Sequence, residues 1–224
     1  MKVLIITGGN IDDDFAFSFL NDKIYDEIIA VDGGLAFADR AEIKVTHLVG
    51  DFDTIDKAVL EKYMHREDLC VHQYVPEKDY TDTDIAVNLA LELLNASGKK
   101  NKEERILHIL GGTGTRLDHV MANLQMLKRV MEADVCGAII DRNNYIEMIH
   151  GMRLLKRSEV FGTYTSLIPA TMKVAGITLD GFKYPLNQAV TYFGESLCVS
   201  NELIADEGMI KIEEGMAWMI LSRD

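Results

Sequence analysis

Four short apolar runs in the first half of this 224-residue chain end in acidic or glycine-rich residues. Residues 28–31 run into Asp32-Gly33-Gly34 and residues 47–49 into Gly50-Asp51-Phe52-Asp53. Residues 69–74 lead to Lys78-Asp79-Tyr80-Thr81-Asp82, and residues 106–110 to Gly111-Gly112-Thr113-Gly114. Carboxylates bind hard cations and bare glycine N–H groups cradle anions, so together they suit a phosphate ligand bridged by a metal. Crowded carboxylates repel one another unless a positive charge sits among them, and Mg2+ is the oxygen-seeking cation that commonly links carboxylates to phosphates. Asp51 and Asp53 alternate on a segment expected to be extended, which turns both to one side and lets them share an ion. The plainer role of any single Asp is a loop or a helix start, where the helix dipole favours it.

Thr81-Asp82-Thr83-Asp84 has the spacing of a capping box with Asp in place of Glu, which makes Asp82 a favourable first-turn charge. Capping does not account for Lys78 and Asp79 just ahead of it, and Lys78 suits a phosphate. The turn at Gly111, Gly112 and Gly114 follows a strand and opens a helix, so it either cradles an anion or simply packs tightly. It is not a G-x-x-x-x-G-K-[ST] loop. Arg116 favours the anion, because the helix dipole gives a guanidinium no reason to stand at a helix start. His119, beside Asp118, reads equally as structural or functional, and Asp12-Asp13-Asp14 reads as a solvated helix start. Neither H-E-x-x-H nor G-x-S-x-G occurs, which leaves hydrolytic zinc and serine chemistry without support. The lone Trp218 lies in an apolar run and reads on composition as core.

These residues need a scaffold, and the first 140 residues alternate short apolar runs with longer stretches of helical period. Ile85, Leu89 and Leu93, with Ala86, Ala90 and Leu94 beside them, mark one helix; Leu117, Val120, Met121, Leu124, Leu127 and Val130 mark another. The pattern predicts an α/β, Rossmann-like parallel-sheet domain over 1–140, whose strands end on one edge, where open sheets bind ligands. After residue 141 brief β-type runs take over at 163–168, 172–174, 177–179, 197–200, 209–212 and 218–221. Gly176, Gly181, Gly194, Gly208 and Gly215 punctuate them as hairpin turns would, which predicts a small antiparallel β domain over 141–224. The polar segment 141–144 is the expected hinge, and residues 152–159 fit either domain.

The chain has 23 Lys and Arg against 36 Asp and Glu, a net charge of −13 that repels nucleic acid and anionic membranes. Cys70, Cys136 and Cys198 lie far apart and form no C-x-x-C, so they read as free thiols in a reducing compartment. The apolar run at 3–6 is too short for a signal peptide, and no run approaches a membrane span, so the expected location is the cytoplasm.

Taken in order, Asp32-Gly33-Gly34, Gly50-Asp51-Phe52-Asp53-Thr54, Lys78-Asp79-Tyr80-Thr81-Asp82, the Gly111-to-His119 stretch and Ser200-Asn201-Glu202 resemble the thiamine pyrophosphokinase family. The resemblance implies an α/β domain, a C-terminal β-sandwich that binds thiamine, and a homodimer with active sites between subunits. It implies transfer of the pyrophosphoryl group of ATP to the hydroxyl of thiamine, giving thiamine diphosphate and AMP. Asp51, Asp53 and Asp82 are then the Mg2+ ligands, Asp32 and Asp79 support the metal–phosphate site, and Asp79 or Asp118 is the base. Gly33, Lys78, Thr81, the 111–114 turn and Arg116 meet ATP; Ser200, Asn201 and Trp218 meet thiamine. Thr54 stands where the family commonly has Ser, and Asp84, in a position not acidic throughout the family, is left as a cap. A thiazolium cation suits an acidic cleft. Two alternatives accompany this expectation. Asp51-Phe52-Asp53-Thr54 also resembles the nucleophile motif of haloacid-dehalogenase-type phosphatases, and the acidic edge also suits a non-catalytic regulatory protein that binds nucleotide or metal.

Overall fold

The computed structural model describes residues 1–75 and 79–224 and divides into two compact units, Met1–Arg142 and Asn143–Asp224. The first unit opens with β1 (Lys2–Ile6), α1 (Asp13–Leu20), β2 (Glu27–Val31), α2 (Gly34–Arg40), β3 (His47–Gly50), α3 (Lys57–Met64) and β4 (Cys70–Gln73). It continues through α4 (Asp82–Ala96), β5 (Ile106–Leu110), α5 (Leu117–Glu132) and β6 (Cys136–Ile140). The strands pair in parallel in the order β4-β3-β2-β1-β5-β6. Val3, Leu4, Ile5 and Ile6 are all buried, so β1 is covered on both faces, as parallel strands require. Helix α4 packs across β1, β2 and β3 and lies against α5, while α2 packs on β1 and β2.

Helix α4 starts where its sequence says it should, with the Thr81 hydroxyl accepting from Asp84 N at 3.2 Å. Its buried stripe is Thr83, Ala86, Val87, Ala90 and Leu94, so Ile85 and Leu89 stand to one side of the expected face. In α5 the expected Leu117 and Met121 are exposed, and Asn123, Met126, Leu127 and Val130 face inward. Small residues set the α4 stripe because a helix lying flat on a sheet needs close approach more than bulk.

The second unit is antiparallel throughout: β7 (Asn144–Lys156), β8 (Tyr164–Pro169), β9 (Lys173–Asp180), β10 (Leu186–Tyr192) and β11 (Glu207–Ser222). Strand β11 pairs with β7 at both its ends, with β9 through its first half and with β8 through its second, around one hydrophobic core. Leu167, Val174, Ile177, Ile210, Ile212 and Met219 belong to that core. The glycine reading needs correction here. Gly176 and Gly215, with φ of +67° and +85°, lie inside β9 and β11, where pairs of expected short strands fuse into single long ones. A glycine within a strand marks a bulge or bend as readily as a turn, and β11 shifts register between Ile212 and Ala217. Residues 197–200 form turns instead of a strand, and β7 and β10 carry no clear alternation to announce them. Among the described residues no helix is long and apolar enough to cross a membrane.

Half-buried on β5 of the first unit, His108 meets the Tyr25 hydroxyl through Nδ1 at 2.7 Å and packs edge-on to Phe19. Burial pushes its pKa down from 6.5 to about 4, with Lys23 and Lys2 adding repulsion. Between those two pH values the unfolded chain binds the proton and the folded chain does not, so stability falls as pH drops through that window. Urea melts should therefore lose up to roughly 3 kcal/mol from this group between neutral pH and pH 4, and H108Q should flatten that part of the profile.

Candidate active site

All the strand ends that carry glycine and Asp meet at the carboxyl edge of the parallel sheet, around a cleft of about 850 Å³. Strand β1 contributes Thr7, Gly8, Gly9 and Asn10; β2 contributes Asp32 and Gly33; β3 contributes Asp51 and Thr54; β5 contributes the 111–115 turn. Asp79 to Thr83 enter from the start of α4, and Arg116, His119, Val120 and Asn123 from the start of α5. Strands β1 and β5 are neighbours, and the chain leaves them in opposite directions across the sheet, which opens a crevice between their ends. Gly9 N donates to Gly111 O at 3.0 Å, so the two loops touch through backbone alone. A Cβ on Gly9 would strike that carbonyl.

Asp32 stands at the centre of the electrostatics. Its φ is +40°, its Oδ1 accepts from Phe52 N at 3.3 Å, and a Cβ on Gly50 would run into its carboxylate. Burial raises its pKa to about 7, the charges of Asp82 and then Asp51 add to the rise, and only the Phe52 N–H opposes them. Asp82 and Asp51 thus stand near enough to Asp32 for their charges to add to the effect of burial.

The extended geometry expected for Asp51 and Asp53 is not found. Strand β3 ends at Gly50, Phe52 adopts φ +68°, and Asp53 N turns back to donate to Asp51 Oδ1 at 3.2 Å. Asp51 therefore lines the cleft while Asp53 is exposed and does not. A local carboxylate–backbone turn outcompetes strand continuation here. Among the described residues no three His, Cys, Asp or Glu side chains are gathered to enclose a metal by themselves. The oxygen-only donor set suits Mg2+, which keeps waters and substrate phosphates in its shell.

Gly33, Asp79, Thr81, Asp82, Gly111, Gly112, Gly114 and Arg116 all line the cleft. Lys78 lies outside the described residues. Arg116 precedes α5 and makes a fork with Asp118, at 2.7 Å from Nη2 and 3.3 Å from Nε. That pairing holds the Asp118 pKa down at about 2. Asp118 is not among the cleft residues, and so acidic a carboxyl is a poor base, which leaves it the task of orienting Arg116.

Within the second unit, Ser200 is exposed with φ +58°. Asn201 is buried, and its amide is spent on backbone: Oδ1 accepts from Tyr184 N and Glu202 N, and Nδ2 donates to Tyr184 O. It therefore braces the turn and has little left for a ligand. Trp218 is half-buried and alternates with Ala217 and Met219 of the core, so it faces away from that core, against the composition reading.

Sequence reasoning passed over Thr7 to Asn10 as binding residues, although their glycine pair after an apolar run carries the same signal as Asp32-Gly33-Gly34. It also passed over Asn123, a polar residue interrupting the apolar stripe of α5, whose Nδ2 donates to Gly112 O at 2.8 Å. Thr7 and Thr83 join hydroxyls at 2.7 Å, and Thr113 donates to Asp141 at 2.9 Å.

A parallel sheet with its cleft at the carboxyl edge, followed in the chain by an antiparallel β unit, defines a class of two-unit α/β proteins. Residues 22–136 match the model for the thiamin pyrophosphokinase catalytic domain, and residues 152–217 that for the thiamin pyrophosphokinase vitamin B1 binding domain. Thiamine pyrophosphokinase of Bacillus subtilis (strain 168) is 34% identical over 196 residues, covering 88% of this chain and 87% of that one. The crystal structure of the Bacillus subtilis enzyme superposes with a TM-score of 0.86 at 32% identity, covering 100% of both chains. Thiamin pyrophosphokinase from Geobacillus thermodenitrificans gives 0.83 at 32% identity, covering 100% of this chain and 98% of that one. The chain belongs to the thiamine pyrophosphokinase family. The phosphatase and regulatory alternatives gain no support from these likenesses.

Because the ionised form of Asp32 is disfavoured between pH 3.8 and about 7, its charge subtracts stability at alkaline pH. In EDTA at pH 8, D32N should be more stable than wild type by about 1 kcal/mol after discounting for the partial exposure of the group, read as a higher melting temperature. An unchanged or lower melting temperature would mean that burial and the neighbouring charges do not disfavour the ionised Asp32 carboxylate.

Proposed function

We infer that this chain transfers the pyrophosphoryl group of ATP to the hydroxyl of thiamine, giving thiamine diphosphate and AMP. The observation that carries this reading is the pair of family matches, one on each unit, over a chain whose first unit gathers its carboxylates and glycine N–H groups at one cleft. The thiamine hydroxyl oxygen attacks the β-phosphorus of ATP, the bond from that phosphorus to the α–β bridging oxygen breaks, and AMP leaves with the oxygen. Such transfer depends on alignment and charge stabilisation, which is why no nucleophile–base pair is needed from the protein.

Asp51 and Asp82 are the proposed Mg2+ ligands, with Asp53 joining them if the 51–53 turn opens and with Asp32 and Asp79 beside them. Bound there, Mg2+ would neutralise charge on the phosphate oxygens. The N–H groups of Gly111, Gly112 and Gly114 and the guanidinium of Arg116 hold the remaining phosphate charge, and Gly33 and Thr81 complete the wall. Asp79, which lines the cleft, takes the hydroxyl proton. Ser200 and Trp218 are the proposed thiamine contacts, with Asn201 shaping the turn that presents Ser200. A homodimer is proposed on the exposed apolar side chains of the second unit, Met152, Leu154, Met172 and Phe193 among them. A cytoplasmic location accords with three free cysteines.

Incubation with ATP, Mg2+ and thiamine should yield AMP and thiamine diphosphate in equal amounts, read by chromatography. D51N and D82N should each cut kcat/KM at least about tenfold while leaving the fold intact by circular dichroism, since a direct ligand supplies at least ~1.4 kcal/mol. A variant that keeps more than about a tenth of the rate is not a ligand.

A further inference from the structure

One segment of the second unit pairs with β8 out of step with a regular ladder. Thr165 and Asn201 exchange both backbone hydrogen bonds, at 2.7 and 3.1 Å, so a regular antiparallel register would set Leu167 against Val199. Leu167 N donates instead to Cys198 O at 2.9 Å. Val199 and Ser200 therefore both stand opposite the single residue Ser166, the two-against-one count of a β-bulge. Cys198 and Asn201 on either side are buried, and the two residues between them are exposed.

A side chain holds this bulge in shape. Ser200 has φ +58°, a left-handed conformation that serine seldom adopts, and its N–H donates to the Ser166 hydroxyl oxygen at 2.9 Å. Ser166 is 7% exposed, so the bond is shielded from water. Where β8 pairs with β11, Ser166 stands opposite Ile220 and Ile168 opposite Trp218. Ser166 and Trp218 thus share the face that looks away from the core residues Leu167 and Met219, as diagonal neighbours about 7–8 Å apart. The hydroxyl ties the exposed tip to the strand face that carries Trp218. We propose that Ser166 is a positioning residue for thiamine: by holding the Ser200 N–H across the bulge, it sets the direction in which the Ser200 side chain meets the substrate. The proposal rests on reading Ser200 as a thiamine contact. Bulges re-aim side chains in this way, and the transfer at phosphorus makes no use of Ser166, so its effect falls on thiamine affinity.

Steady-state kinetics with thiamine and ATP varied in turn test it, with calorimetry of thiamine as a readout independent of turnover. S166A should weaken thiamine about fivefold in KM and in calorimetry, as the loss of one shielded hydrogen bond implies, and leave kcat and the KM for ATP unchanged. T165V is the control. Thr165 is 3% exposed and its hydroxyl has no hydrogen-bond partner among the described residues, so removing it should leave both KM values as they are. In S166A/S200A the loss of thiamine affinity should not exceed that of S200A, because a contact that is gone cannot be misdirected. Unchanged thiamine affinity in S166A overturns the proposal. So do equal rises in the KM for thiamine and for ATP, a matching rise in T165V, or losses that multiply in the double variant. If S200A binds thiamine as wild type does, the reading of Ser200 as a contact fails and takes the proposal with it; weakened S200A beside an intact S166A sinks the positioning role alone.

Discussion

Mutual repulsion among carboxylates at the end of a parallel sheet is the constraint around which the first unit is built. Asp32, Asp51 and Asp82 come from two strand ends and one helix start, and burial first, then the charges of Asp82 and Asp51, raises the Asp32 pKa to about 7. Such an arrangement opposes folding and persists only because the layers beneath it over-determine the backbone. The buried residues of strands β1 to β3 and the small-residue stripe of α4 supply that surplus. An arrangement that is costly by itself becomes favourable when a divalent ion and a polyphosphate enter, which is the physical reason acidic residues can serve a polyanionic substrate.

Rigid backbone ties carry this constraint to the loops. Gly9 meets Gly111 through main chain, Thr7 meets Thr83 through hydroxyls, and Asn123 holds the carbonyl of Gly112. Each tie joins a strand end to a neighbouring strand end or helix start, so that the cleft moves as one body with the sheet. Arg116 pairs with Asp118 at the start of α5, an exposed fork that biases the guanidinium without burying it. Preorganisation of this kind favours a reaction whose barrier is lowered by alignment more than by covalent help.

The second unit solves a different problem, enclosing a core of its own with only antiparallel strands. It does so through two long paired strands, β7 and β11, with glycines at the places where a strand must bend. Alternation along β11 then divides its residues cleanly, Ala217 and Met219 inward and Trp218 outward.

Much of this was legible in the residues themselves. Apolar runs ending in Asp and Gly announce a parallel sheet with a polar carboxyl edge, because alternating periodicity and backbone chemistry are local properties. The ordered motifs pointed to the family for the same reason. What the residues could not tell is which way a short loop turns. Asp51 and Asp53 look equivalent in sequence, but an N–H two residues on captures Asp51 and swings Asp53 away. Asn201 looks like a ligand contact until Tyr184, distant in sequence, is found using both ends of its amide. Gly176 and Gly215 look like turns until cross-strand pairing makes them bends. Side-chain type and period are set within a few residues, whereas orientation and hydrogen-bond commitment depend on neighbours that only the folded chain brings within reach.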